Sequence, residues 1–150
     1  MENDEKIEHL NELLHVSHDG ENGYRAAATQ VNDPHMKQVF EDYAVQRAGF
    51  RRDLRSEIER LGGAPADSGT LSASVHRGWL ELKSAVTGGD AAAVIAACET
   101  GEDAAQAAYE RVVKTGITGE ARTLAENQWS KIREAHARLL NLKNSLAKAE

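Results

Sequence analysis

Apolar residues recur at steps of three and four along most of the chain, which is the spacing of amphipathic helices. Four stretches carry this pattern, and they predict helices over about 5–31, 34–61, 91–114 and from 119 to near the end of the chain. No stretch alternates apolar and polar residues in the manner of a half-buried strand. The pattern therefore predicts an all-α protein.

Proline and glycine residues mark where the predicted helices end. The sequence Asn32-Asp33-Pro34 separates the first two helices, with Asp33 as the expected N-cap and Pro34 in the first helical position. The pair Gly62-Gly63 supplies the left-handed residue that commonly ends a helix. Because the connection at Asp33 is short, the first two helices must run antiparallel. A short turn before the fourth helix makes a second hairpin of the last two.

A longer connection, residues 63–89, separates the two hairpins and contains an amphipathic stretch of its own. A connection of this length lets the third helix run parallel to the second, which is typical of ferritin-like bundles and absent from simple up-and-down bundles. We therefore predict a single domain over 1–150, a ferritin-like antiparallel four-helix bundle with a long helical crossover between helices 2 and 3. Within the crossover, Trp79 is expected to anchor the segment on the bundle together with His76 and Arg77.

Each predicted helix carries one polar residue where its apolar stripe should continue. These residues are Glu21, Arg47, Glu102 and Gln128. The same 26 residues separate the first two and the last two, so all four fall at similar heights, within roughly one helical turn. We expect a buried polar layer in which Arg47 pairs with Glu21 and Glu102, and Gln128 completes a hydrogen-bonded network. Burying any of these charges without a partner would cost several kcal/mol.

The middle of such a bundle is also where di-iron and di-manganese proteins hold their metals. A centre of that kind takes one Glu from each of two helices and a Glu-x-x-His pair from each of the others. Helix 2 offers Arg47 and Phe50 at the pair positions, and helix 4 offers Gln128 and Lys131. A guanidinium repels a dication and can neutralise the carboxylates itself. The prediction is therefore a protein without a cofactor.

An off-centre metal site is the alternative that the sequence leaves open. His18 lies one turn from Glu21 on helix 1, and His136 lies at the edge of the stripe on helix 4. Together with Glu102 these residues would offer imidazole and carboxylate ligands, which suit Fe or Mn. The candidate metal set is His18, Glu21, Glu102 and His136.

Composition narrows the range of partners. The formal net charge is −6, and Lys and Arg are interspersed with acidic residues, so binding to nucleic acid or to an anionic membrane is not expected. No run approaches the roughly 18–20 apolar residues of a membrane helix. The acidic start of the chain does not resemble a secretory signal, so we expect a cytoplasmic protein. Cys98, the single cysteine, lies on the apolar stripe of helix 3 and is expected to be a buried small hydrophobe.

Several short segments resemble a known family. The segments 19–24, 46–50, 76–79 and 101–103 are similar, in order and spacing, to a bacterial family of small ferritin-like four-helix-bundle proteins classed as a domain of unknown function. The resemblance extends from about 7 to 142. It implies the ferritin-like fold and no established activity, and analogy with the superfamily adds a link to stress.

The departures from iron-storing and peroxide-reducing relatives concern the metal ligands. Arg47 and Phe50 align with their Glu and His, and Ser17 stands where their first Glu is found. Phosphate-binding loops, nucleophile elbows and His-Glu-x-x-His motifs are also missing from the sequence. We therefore expect a non-catalytic bundle protein lacking a standard di-iron centre. The alternatives are a metal-binding oxidoreductase or iron-handling protein, and a helical interaction module that forms a homodimer.

Overall fold

The computed structural model describes residues 1–66 and 90–149 of the chain. These residues form four α-helices, which we number in chain order: α1 (Asn3–Gln30), α2 (Pro34–Arg60), α3 (Ala91–Lys114) and α4 (Gly119–Ala149). The bounds lie within about two residues of those predicted, and no strand occurs in the described ranges. The all-α prediction is confirmed.

The helix ends are set by the local chemistry that the sequence indicated. Asp33 Oδ1 accepts hydrogen bonds from the backbone N–H groups of His35, at 2.8 Å, and Met36, at 3.0 Å, and so caps α2. Gly62 ends the same helix with a φ of 90°, a conformation that favours glycine. Asp90 caps α3 by accepting from the backbone N–H of Ala93 at 3.3 Å. The two hairpins therefore begin and end where their sequences require.

Helices α1 and α3 are antiparallel neighbours. Glu12 of α1 pairs with Arg111 of α3, and Ser17, further along α1, contacts Tyr109, which precedes Arg111 in α3. Helices α2 and α4 are related in the same way, since Phe50 contacts Gln128 and Arg60 contacts Glu120. Helix α1 also packs against α2, and α3 packs against α4. Every neighbouring pair is therefore antiparallel, and α2 and α3 lie across the diagonal of the bundle and run in the same direction.

Because α2 and α3 run in the same direction, the chain leaves α2 at one end of the bundle and enters α3 at the other. After α2, the chain lies beside the start of α1, where Asn11 Oδ1 accepts from the backbone N–H of Ala66 at 2.8 Å. The helix predicted within the crossover, and its expected anchors His76, Arg77 and Trp79, lie outside the described residues.

The core extends along the whole bundle and is mostly aliphatic. Its buried residues include Leu10, Leu13 and Leu14 from α1 and a row of small residues from α3 that allows close helix approach. The largest fully buried side chain among the described residues is a cation, Arg47. None of the described helices is both long and apolar enough to cross a bilayer. The centre of the molecule is therefore polar at one level and apolar above and below it.

Candidate functional site

Arg47 and Glu102 form an ion pair across the diagonal of the bundle. Arg47 Nη1 lies 2.5 Å from Glu102 Oε1, and Nη2 lies 2.7 Å from Oε2. The side chains are 1% and 0% exposed. This bidentate fork is the strongest geometry that a guanidinium and a carboxylate can adopt, and it engages both oxygens of the carboxylate. One charge from each hairpin is thus neutralised inside the protein.

Aromatic rings and a glycine surround the guanidinium. Arg47 Cζ lies 5.3 Å from the centre of the Tyr24 ring and 5.6 Å from that of Phe50, within the range of cation–π attraction. Gly20 faces the same side chain, and a Cβ added there would lie 3.2 Å from Arg47 Nη1. The Arg47 Nε donates to Gln46 Oε1 at 3.2 Å. The guanidinium is therefore enclosed by groups that fit its shape as well as its charge.

Burial and the neighbouring charge of Glu102 determine the protonation states of Arg47 and Tyr24. Burial by itself lowers the pKa of Arg47, but the charge of Glu102 and the hydrogen bonds to it outweigh burial and raise the pKa above its ordinary value. Burial raises the pKa of the Tyr24 phenol well above its usual range, with Glu102 adding to the effect. Arg47 is therefore charged and Tyr24 neutral at neutral pH.

Gln128 belongs to a second set of buried hydrogen bonds that joins all four helices. Tyr109 donates its hydroxyl proton to Gln128 Oε1 at 2.6 Å, and Gln128 Nε2 donates to the backbone carbonyl of Phe50 at 3.3 Å. Ser17 Oγ lies 3.2 Å from the Tyr109 hydroxyl. Because Tyr109 uses its one proton on Gln128, Ser17 must be the donor in this contact. Burial raises the pKa of Tyr109, which keeps the hydroxyl protonated for this role.

Glu21 does not follow the expectation that it would pair with Arg47. Its Oε1 lies 2.6 Å from Arg51 Nη1, and its Oε2 lies 2.5 Å from Arg25 Nη2. Both terminal nitrogens of Arg47 bind Glu102, and its Nε donates to Gln46, whereas Arg51 lies one turn further along α2 and reaches Glu21. Arg51 was not predicted to belong to the polar layer, although its spacing of four from Arg47 is visible in the sequence.

The residues of the alternative metal site are not brought together. Glu102 and Glu21 are held by arginines, His136 Nε2 lies 2.9 Å from Asp103 Oδ1, and His18 Nε2 lies 3.3 Å from Asn22 Nδ2. Over residues 1–66 and 90–149, no group of three or more His, Cys, Asp or Glu residues is arranged to hold a metal ion. His18 thus contacts a residue of its own helix, one turn away, whereas His136 contacts Asp103 of α3. The donor set therefore does not fit the dinuclear centre that this fold can hold.

Cys98 gives a direct chemical check of the closed core. Its side chain is 0% exposed, and burial raises the pKa of its thiol well above the usual range. We expect the native protein to react with a disulfide reagent such as DTNB far more slowly than the same protein in denaturant, because only the exposed thiolate is nucleophilic. Equal rates of thiol modification in native buffer and in denaturant would contradict this placement.

Comparison with known proteins supports the fold. Among solved structures, the chain is similar to the bacterioferritin-related protein of Bacteroides fragilis, described as a dodecameric thioferritin, with a TM-score of 0.79 at 17% identity. The match covers 99% of this chain and 90% of that one, and at this identity it shows the fold alone. The family described as "Domain of unknown function (DUF2383)" matches residues 5–115. No curated protein matches. The ferritin-like prediction and the family resemblance are confirmed.

Proposed function

The chain belongs to the family described as "Domain of unknown function (DUF2383)" and has the ferritin-like fold, and we propose that it is a non-catalytic bundle protein. In this proposal, an arginine–glutamate pair replaces the metal ions that metal-binding ferritin-like proteins hold. A cytoplasmic location and production under stress are parts of this proposal, the second by analogy with the superfamily.

The observation that carries the proposal is the bidentate pair between Arg47 and Glu102. A dication placed near Glu102 would meet a fixed positive charge within a few ångströms, in surroundings where charges are poorly screened. It would also have to displace two hydrogen bonds and leave a guanidinium buried without its partner, which costs about 3–5 kcal/mol. The charge balance that metal ions supply in a dinuclear centre is here supplied by the chain itself.

The second hydrogen-bond network supports a structural role for this level of the bundle. The contacts among Ser17, Tyr109, Gln128 and the Phe50 carbonyl take one group from each helix. A sliding movement of one helix by a single turn, about 5.4 Å, would break every contact that this helix makes in the network. The polar layer therefore favours one alignment of the four helices over others.

Metal analysis tests the proposal. We expect protein purified without chelator to contain Fe and Mn well below one ion per chain, and added Fe²⁺ or Mn²⁺ to leave its melting temperature unchanged, because the central carboxylate is already neutralised. Elemental analysis and thermal denaturation provide the two readouts. About one ion per chain in the wild type, lost in Glu102→Gln, would contradict the proposal.

A matched variant shows whether any metal found belongs to the centre. Asp103→Asn changes the next residue in the sequence, an exposed carboxylate that contacts His136. Metal that survives Asp103→Asn and disappears in Glu102→Gln lies in the polar layer and overturns the proposal. Metal that disappears in Asp103→Asn alone is bound at the surface and leaves the centre as proposed.

Iron handling is the second candidate, and it draws on the fold likeness to a bacterioferritin-related protein. It requires oxidation of added Fe²⁺ faster than in buffer, with dependence on Glu102.

Self-association is a separate part of the proposal, supported by the description of that similar structure as dodecameric. We propose that this chain also forms a homo-oligomer.

A further inference from the structure

Between Glu41 and Arg52, the outward face of α2 carries charged residues on both sides of an apolar centre. Glu41 and Asp42 are exposed on one side of Val45, and Arg52 is exposed on the other side. Val45 is 69% exposed, one of three large hydrophobic residues among the described ones that lie open to solvent. The Arg52 side chain is 77% exposed. At 100° per residue these positions fall within an arc of roughly 100°, so they form one continuous surface.

Gly49 forms a depression in this surface. Glycine in the middle of a helix is less favourable than alanine by about 1 kcal/mol. A Cβ added at Gly49 would meet, among the described residues, the flexible end of the Arg52 side chain at 3.4 Å. The packing within the described part of the chain therefore does not require a glycine here. The missing side chain leaves room for a group that approaches from outside, next to the exposed Val45.

The positions of these residues are symmetric about a single point of α2. Val45 and Gly49 lie equally far on either side of residue 47, and so do Asp42 and Arg52. If a second α2 packs antiparallel on this face, each Val45 meets the Gly49 depression of the other copy, and each Arg52 meets the other Asp42. Such self-complementarity is the requirement for a two-fold interface between identical chains.

We propose that the outer face of α2, from Glu41 to Arg52, is a two-fold contact surface whose partner is a second copy of this chain. The proposal names the surface for the self-association proposed above and does not depend on whether the interior binds metal. Charge complementarity and the match of an apolar side chain to a depression carry it.

The present partners of these charges do not compete with a second copy. Asp42 Oδ1 accepts from Gln38 Nε2 at 2.8 Å, and Arg52 Nε lies 3.9 Å from Asp53. Exposed contacts of this kind contribute little to stability, so a partner can replace them. The open groove of about 470 Å³ beside Arg52 is lined by Arg51, Arg55 and Glu59 as well, and its lining includes neither Val45 nor Gly49. Spaced charges of both signs favour a protein surface with the opposite arrangement.

Charge reversal followed by mixing tests the proposal. Asp42→Arg alone places arginines against arginines at both contacts of a homodimer, and Arg52→Asp alone places aspartates against aspartates. We expect each variant to raise the apparent dissociation constant at least about tenfold, because like charges placed opposite each other disfavour association. An equimolar mixture of the two variants pairs opposite charges at both contacts and should associate as the wild type does. Sedimentation velocity from about 1 μM to about 1 mM provides the measurement.

Mixing also separates association from folding, since a second folded protein cannot repair a misfolded one. Val45→Glu should weaken association as well, whereas Leu140→Glu, which changes another exposed hydrophobic residue on α4, should not. Three results would overturn the proposal: a wild type that stays monomeric over the whole range, association that the α2 variants leave unchanged, or variants that mixing does not restore. Restoration in the mixture that fades at high salt would support it.

Discussion

Replacing Arg47 with leucine is expected to lower the free energy of unfolding by about 3–5 kcal/mol. The substitution leaves Glu102, which is 0% exposed, without the guanidinium that binds both of its oxygens. A buried carboxylate without a partner loses its hydration and gains nothing in return, so the effect should exceed that of most single substitutions. Chemical denaturation followed by circular dichroism measures the change.

The double substitution Arg47→Leu with Glu102→Leu is the control for this prediction. It removes both charges together, and apolar replacement of a buried pair is often neutral or stabilising. We expect the double variant to be more stable than Arg47→Leu alone. If Arg47→Leu lies within experimental error of the wild type, Arg47 does not neutralise a buried carboxylate and the central claim about the polar layer fails.

The second large effect is expected at Gly20, where alanine should lower the free energy of unfolding by about 1–3 kcal/mol through overpacking. Helix propensity alone would give the opposite sign, with a gain of about 1 kcal/mol. The added Cβ would lie 3.2 Å from Arg47 Nη1 and 3.4 Å from its Cγ. Arg47 is held at its far end by Glu102, so it cannot move aside without weakening the ion pair. Equilibrium denaturation again provides the measurement.

Gly49→Ala is the matched control within the neighbouring helix. Its new Cβ meets the flexible end of the exposed Arg52 side chain, which can move aside. The higher helix propensity of alanine should therefore raise the free energy of unfolding by up to about 1 kcal/mol. Both variants should be compared in dilute protein, where association does not contribute to the measured stability. A stabilising Gly20→Ala would mean that the space beside Arg47 is not required.

The helix bounds could be predicted because the groups that determine them are neighbours in sequence. The Asp33 carboxylate reaches N–H groups two and three residues ahead, and Gly62 takes its left-handed conformation at the residue after the helix. The levels of Arg47 and Glu102 followed from helical rise, which is the same for every helix. Local rules and a fixed repeat were therefore sufficient for the fold.

The choice of partners could not be predicted in the same way. Arg47 and Arg51 lie one turn apart on α2, and both side chains are long enough to reach a carboxylate on α1. The choice is made by lateral space: Gly20 lets Arg47 lie across α1 toward the diagonal, while Arg51 reaches Glu21 at the edge. Helical spacing gives the height of a residue along the bundle but not the direction of a flexible side chain across it. For the same reason the spacing did not show that His18 would contact Asn22 and His136 would contact Asp103 instead of facing each other.

The diagonal ion pair also bears on how the molecule assembles. The cation, Arg47, comes from the first hairpin and the anion, Glu102, from the second, so each hairpin alone lacks the counter-ion of its central charge. An intermediate with one hairpin formed would show an uncompensated ion on the very surface that it must later hide from water. The ion pair therefore disfavours intermediates with a single formed hairpin and favours cooperative folding of the two hairpins.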